Sequence, residues 1–463
     1  MVEELEFKGQ WWLPGRPEKL IPGQLRVSPY DKATLDLQGT LGGQSDFFYP
    51  LVLGNASLGK PITLQNLYVT HRSFSSDDFS ASQLIVHTVF EGVHFDTPDQ
   101  IIFRSVSVRY ANFDQWVRHR SFRIESDNGG GTTKILYERP GSIDAECGDY
   151  GIQITVGLSL DDRRNEIAAA EKAMLSIYRD RGESFDEFVR MSHHFQNFLS
   201  LVMGAPTHPT EISGQTGVKE QASENEEETL LPVRVYYPVV GWGTAPHDLP
   251  FFEMLFTLRD IQDNFKEYVC NWINNASVLQ PVYDLYFSSL YNTHQYTQHA
   301  FLSLTQAIET YSRRRYGGKY QEDDEYRGGL YRSLVAAIPE NIDKGFRQSL
   351  IEGRLRYANE HSLRKRLHKI FGRVSANLPV GILGSRQILS DLVGKVCDTR
   401  NYLTHYDPAL AANAARGEEL LTLTQRLWAI LGICLLEELG FSFESIKDMI
   451  SKNRRYRHIL QIR

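Results

Sequence analysis

The chain has 463 residues, 41 % hydrophobic and 23 % charged, an ordinary globular mix that suggests about three compact units and excludes a low-complexity or fibrous protein. Its formal net charge of −7 is unevenly shared: the first 260 residues carry −13 and the rest +6, so a polyanion would be expected to bind the back half. The four cysteines, Cys147, Cys270, Cys397 and Cys434, have no paired spacing, which argues against a zinc site and against a disulfide framework and fits a reducing cytosol.

The opening MVEELEFKGQ lacks the basic and apolar segments of a secretion signal, so a cytoplasmic protein is expected. Residues 1 to about 160 are β-rich. ATLDLQGTLGG, SQLIVHTVFEG, IIFRSVSVRYA and YGIQITVGLSL alternate apolar and polar residues between Gly, Asp and Pro, which predicts antiparallel sheets, sandwich- or barrel-like. Trp11 and Trp12 are expected in the core. Gly54-Asn55-Ala56-Ser57-Leu58-Gly59-Lys60 imitates a phosphate-binding loop, but Pro61 stands where a magnesium-holding hydroxyl is required. The following PITLQNLYVT alternates like a strand, where a phosphate loop needs a helix, so nucleotide binding is rejected there.

Residues 184–203 predict a helix, with Ser184 and Glu187 as a capping box and Phe185, Phe188, Met191, Phe195, Phe198 and Leu199 as its apolar face. His193 and His194 are adjacent and point different ways, so they are expected on the surface or as satisfied core residues, not as metal ligands. Glu211 to Thr229 is polar and poor in aromatics, a loop or linker, and Leu231 to Val240 is expected to be the last strand of the front half. From Asp248 the pattern turns helical, with helices near 251–275, 278–291, 295–315, 341–357, 359–372, 385–405, 416–438 and 442–450, and a charged loop at 319–329. The fold class is therefore α+β and multidomain: a β-rich region over 1–240 with one helix, then an all-α bundle over 251–463. The apolar run Leu427 to Leu436 is too short to span a bilayer and is expected at the bundle centre or under a partner subunit.

The most informative stretch is Ile388 to Pro408, ILSDLVGKVCDTRNYLTHYDP. Leu389, Leu392, Val393, Val396, Arg400 and Leu403 recur at steps of three and four and form one helix face. Arg400 lies on that apolar stripe, where a cation is costly to bury without a partner. Asn401 and His405 stack one turn apart along an edge, and Pro408 supplies the stop.

Arg400-Asn401-Tyr402-Leu403-Thr404-His405 resembles the signature of HEPN-domain ribonucleases, an Arg and a His separated by four to six residues with a polar residue directly after the Arg. The helical half resembles the ApeA-like HEPN group in particular. Trp11-Trp12-Leu13-Pro14, Gly23-Gln24-Leu25 and Leu35-Asp36-Leu37-Gln38-Gly39 resemble the opening of that group's N-terminal domain. The resemblance implies a metal-independent endoribonuclease with no cofactor, acting in anti-phage defence by abortive infection. It implies a homodimer or higher homo-oligomer whose paired motifs line one cleft, a front half that responds to a phage-derived trigger, and a toxin restrained until then. RNA is the expected substrate, tRNA or another single-stranded loop. The residue chemistry is compatible with this. Histidine moves protons near neutral pH, and the arginine fork suits a phosphate. On an ideal helix a spacing of five puts Arg400 and His405 about 140° apart, so an unwound helix end or a second chain is needed to aim both at one phosphate.

Glu309, on the edge of FLSLTQAIETYSRR, is the remaining catalytic candidate. It either pairs with Arg400, as the resemblance implies, or is a solvated edge residue. A second Arg–His match, Arg356 to His361, lies in the same half. Arg400/His405 is preferred because Asn401 follows the Arg, the helix is strongly periodic, and the helix end favours a protonated histidine. Arg354, Arg356, Arg364, Lys365, Arg366, Lys369 and Arg373 form the densest basic stretch. Arg364, Lys365, Arg366 and Lys369 are the expected RNA-backbone contacts, unless they are an ordinary charged helix face. KNRRYRHILQIR at the C-terminus offers a second basic patch. The competing reading is non-enzymatic: a HEPN dimerisation or RNA-binding scaffold in which Arg400 only ties helices together.

Overall fold

A computed structural model describes residues 4–28, 32–43, 45–74, 80–126, 133–164, 166–217, 232–237, 248–292, 294–378 and 381–461. The chain divides into two compact units, Met1–Ile273 and Asn274–Arg463.

In the first unit, β1 (Leu5–Trp12), β2 (Ile21–Val27), β3 (Ala33–Leu37), β4 (Phe48–Ala56), β5 (Lys60–Phe74) and β6 (Ser80–Glu91) form a six-stranded antiparallel barrel. Its order is β6-β3-β2-β1-β4-β5, and β5 closes it by pairing back onto β6. The alternation of the sequence has the expected cause: Leu25, Leu35, Val52, Ile62, Leu64, Leu67, Val86 and Val89 fill the interior and are completely buried. Trp11 is buried with them, and its register partner on β4 is Gly54. A Cβ on Gly54 would collide with the indole ring. The first glycine of the false phosphate loop therefore makes room for a core tryptophan, and the loop leads into strand β5.

The sheet runs on from β6 through β7 (Ile102–Tyr110), β10 (Ile143–Cys147), β11 (Tyr150–Arg163), β12 (Glu166–Ser184), β13 (Pro209–Thr216) and β14 (Pro232–Tyr236), in the spatial order β14-β13-β7-β12-β11-β10. A short helix α1 (Phe113–Val117) and a separate ribbon of β8 (Phe122–Ser126) and β9 (Thr133–Tyr137) complete this part. Helix α2 (Phe185–Met203) packs its aromatic face on the sheet; Phe90, Phe103 and Phe185 lie 5.3–5.9 Å apart by ring centroids. Ser184 caps α2 by accepting from the Glu187 amide, and Gly204 ends it in the left-handed region. His194 is buried and His193 exposed.

Two expectations change here. Residues 211–216, expected as linker, are strand β13, because Ile212, Ser213, Gly214 and Gln215 pair with both β7 and β14. Residues 218–229 of that linker, and 238–240 of the expected last strand, lie outside the described residues. The cysteines also differ from expectation: Cys147 and Cys270 form a disulfide across 123 residues of sequence. Sequence spacing carried no hint of it, because the sheet brings β10 to the start of a helix far along the chain. Cross-linking so long a loop restricts the unfolded chain by an amount on the order of 4–5 kcal/mol in the entropy model.

After α3 (Leu258–Ile261), α4 (Phe265–Tyr291) replaces two predicted helices with one continuous helix. It begins in the first unit and ends in the second, and it contains Pro281. Leu279, Val282, Tyr283 and Tyr286 around the proline are completely buried, and their packing offsets the lost backbone hydrogen bond.

The second unit continues with α5 (Thr297–Tyr316), α6 (Asp323–Gly328), α7 (Leu330–Ala336), α8 (Lys344–Gly353), α9 (Leu363–Asn377), α10 (Arg386–His405), α11 (Gly417–Leu439), α12 (Phe443–Lys452) and α13 (Arg454–Leu460). The predicted charged loop at 319–329 contains α6, and the predicted helix at 341–357 is the shorter α8. Helix α11 is the bundle core, packed by α5, α9, α12 and α13. Its 23 residues include a window long and apolar enough, by length and composition, to cross a membrane, more than the predicted short run, yet most of that window is buried in the bundle. In the C-terminal basic patch Tyr456 is buried and Arg455 lies over the Trp428 ring at 4.2 Å, so α13 is partly a packing element.

Candidate active site

The expected helix around the Arg–His motif is α10. Ser385 caps it by accepting from the Ile388 amide, and its buried face is Leu389, Leu392, Val393, Val396, Cys397, Thr399 and Leu403. The buried Thr399 hydroxyl accepts from the Ala415 amide at 2.9 Å and so fixes the chain that returns from the helix end. Helical geometry persists through His405, and Tyr406 then takes a left-handed conformation with φ of 51°. The helix end does not unwind before His405, so within one chain the Arg400 and His405 positions keep their angular separation of about 140°.

Arg400 is half-buried at the edge of the apolar stripe, which spares it the cost of full desolvation. One Nη donates to Asn401 Oδ1 at 3.1 Å. The Arg400 carbonyl accepts from the Thr404 hydroxyl at 2.7 Å. His405 is exposed on the last turn.

Glu309 reaches this region from α5 and does not form an ion pair with Arg400, one of the two alternatives open for it. Its carboxylate pairs with Arg313 one turn along at 3.0 Å, and Arg313 also pairs with Glu360. The i,i+4 cation on its own helix is the nearer partner. Charges nevertheless converge under the motif: burial pushes the Cys397 thiol up, and Arg364, Asp398, Arg400 and Glu309 all lie near enough to act on it. Arg364, from α9, sits 3.7 Å from Asp398 and over Gly394 of α10.

The four expected RNA contacts separate. Arg364 is exposed beside α10. Lys365 and Lys369 are exposed, and their ammonium groups lie 3.8 Å and 4.6 Å from the centroids of Tyr320 and Tyr316. Arg366 must be removed from the set. It is 2 % exposed and donates to the carbonyls of His361, Gly317 and Gly318 at 3.0, 2.5 and 3.2 Å. It tethers chain segments and is not available to a phosphate.

Those carbonyls belong to the neck of the excursion that carries α6, α7 and α8. Asn359 stitches the neck: its side chain accepts from the Gln321 amide at 2.9 Å and donates to the Gln321 carbonyl at 2.8 Å. The backbones of Lys319 and Glu360 pair in an isolated antiparallel β-bridge, and the His361 amide donates to the Gly318 carbonyl. The second Arg–His match lies here. Arg356 is exposed on a 3-10 turn, and the His361 ring packs edge-on against Tyr320 at 4.8 Å. Burial, with Lys365, Arg366 and Lys369 nearby, holds the His361 imidazole below its ordinary pKa.

Asp398, which meets Arg364 only because two helices pack together, and Arg416, which follows a loop, were not expected from the sequence. Arg416 lies over the Tyr402 ring at 5.2 Å and donates to its hydroxyl at 3.3 Å. The i,i+4 pair Tyr402 and Tyr406 was readable from sequence. Among the described residues no three His, Cys, Asp or Glu side chains gather as metal ligands.

Two family models match the chain: ApeA N-terminal domain 1 over residues 6–272 and Apea-like HEPN over residues 302–445. No curated protein and no solved structure matches it.

Proposed function

We propose, for a chain that belongs to the ApeA family and carries its HEPN domain, a metal-independent endoribonuclease acting in anti-phage defence. The observation that carries the reading is the end of α10, where an accessible imidazole, an amide and a half-buried guanidinium crowd the last two turns of a rigid helix. RNA cleavage without a metal needs a base for the 2′-hydroxyl, an acid for the 5′-oxygen and a cation for the charge-rich phosphorane. His405 supplies proton transfer, Arg400 grips the phosphate, and Asn401 orients the guanidinium through the hydrogen bond it accepts. Glu309 contributes negative charge near the cluster from α5. The products are a 2′,3′-cyclic phosphate and a 5′-hydroxyl.

The angular separation of Arg400 and His405 supports a homodimer, in which each cleft takes its arginine and histidine from different chains. Arg364, Lys365 and Lys369 contact the RNA backbone. The β-rich region, approximately residues 1–240, restrains or triggers the helical region that begins near residue 251. The protein is cytoplasmic, and tRNA or another looped RNA is the substrate.

The purified protein is incubated with total RNA in EDTA. Cutting that disappears in His405→Ala and persists in His361→Ala supports the reading; cutting that survives in His405→Ala and fails in His361→Ala assigns the chemistry to the other pair. The scaffold reading ties helices together through an Arg400–Glu309 pair, whereas Glu309 pairs with Arg313. A protein that binds RNA but never cuts it, with phage lysate present, would restore that reading.

A further inference from the structure

Tyr406 occupies the position after the last residue of α10 with φ of 51°, a left-handed conformation that favours glycine or asparagine. Gly204 and Gly440 end α2 and α11 in that region at no such cost. Tyr406 gains little packing in return, since 62 % of its surface is exposed. A strained backbone that presents an aromatic ring to solvent directly after His405 points to a binding role.

The ring is not isolated. Tyr402, one turn earlier, meets it edge to face at a centroid distance of 5.5 Å. Arg416 covers Tyr402 at 5.2 Å and is held by the tyrosine hydroxyl and the Ala411 carbonyl. A guanidinium and two rings thus form a ladder on the flank of the helix end that bears His405. Such a ladder suits unpaired nucleobases, each of which has a π-face to stack, with the cation beside the strand's phosphates. Paired bases have both faces occupied and cannot use it.

We propose that Tyr406 and Tyr402, with Arg416, stack unpaired bases next to the scissile phosphate and make the site selective for single-stranded RNA. This inference rests on the reading of α10 as an RNA site, but it concerns binding and is tested apart from cleavage. The background is His405→Ala, and the probes are a labelled 12-nucleotide oligo-U and a blunt-ended, fully paired RNA stem of similar charge. Tyr406→Gly removes the ring and relieves the backbone, so the melting temperature is expected to hold or rise while oligo-U affinity falls about tenfold. Tyr406→Trp should restore the affinity, and stem binding should change little in either variant. Equal oligo-U affinity in Tyr406→Gly and its parent overturns the proposal, as does an equal loss for the stem. If wild-type protein fails to cut RNA even with phage lysate present, yet Tyr406→Gly loses oligo-U selectively, the ladder stands and the nuclease reading falls.

Discussion

The second unit contains two arginine–histidine pairs with identical spacing, and the fold treats them oppositely. Arg400 and His405 sit on the end of a long helix whose other face is buried, so their positions are rigid while their head groups stay accessible. Arg356 and His361 straddle a turn at the neck of an excursion, where the histidine carbonyl accepts from buried Arg366 and its ring lies on Tyr320. One pair has chemistry to spare; the other is occupied in closing a loop. Spacing alone is therefore weak evidence for a site, and the demands already placed on each side chain are better evidence.

The strongest way to break this contrast is cleavage. His405→Ala should lower RNA cutting by about 10²–10⁴-fold, the usual worth of a positioned proton-transfer group, and His361→Ala should leave the rate within a few-fold, read from labelled RNA on gels. Stability should show the reverse order. Arg366→Ala strands three backbone carbonyls and is expected to destabilise the helical unit by about 3 kcal/mol, against less than about 1 kcal/mol for Arg400→Ala, both by denaturant titration. Comparable losses would mean that Arg400 is structural too.

A finer test uses salt. Lys365→Ala and Lys369→Ala should each reduce the slope of log affinity against log salt by roughly one, while Arg356→Ala should leave it unchanged. The smallest effect is in pH. His361 is held below its ordinary pKa, so the stability due to its neutral form is complete above about 6.5 and is lost as pH falls from there through its lowered folded value. Melting temperature should decline over that window in the wild type, and less so in His361→Gln.

Local pattern carried much of the architecture. Strand alternation foretold a β-rich front, and apolar steps of three and four foretold α5, α9, α10 and α11 within a few residues. The errors arose where a distant partner decided the outcome. Residues 211–216 lack a marked strand pattern but find β7 on one side and β14 on the other. Arg366 looked like its basic neighbours until three carbonyls converged on it. Glu309 is a different case: the sequence left its partner open, and it pairs with Arg313 one turn along its own helix, a local choice.

By itself the amino-acid order determined which faces would be buried and which residues could share a helix edge, because periodicity and caps act within one or two turns. That placed Arg400, Asn401 and His405 at a helix end and foretold the ApeA-like HEPN likeness. Only the tertiary structure decided barrel closure, the Cys147–Cys270 disulfide and which arginines remain available. Each depends on groups far apart in the chain arriving at hydrogen-bonding or bonding distance, and no local spacing encodes that.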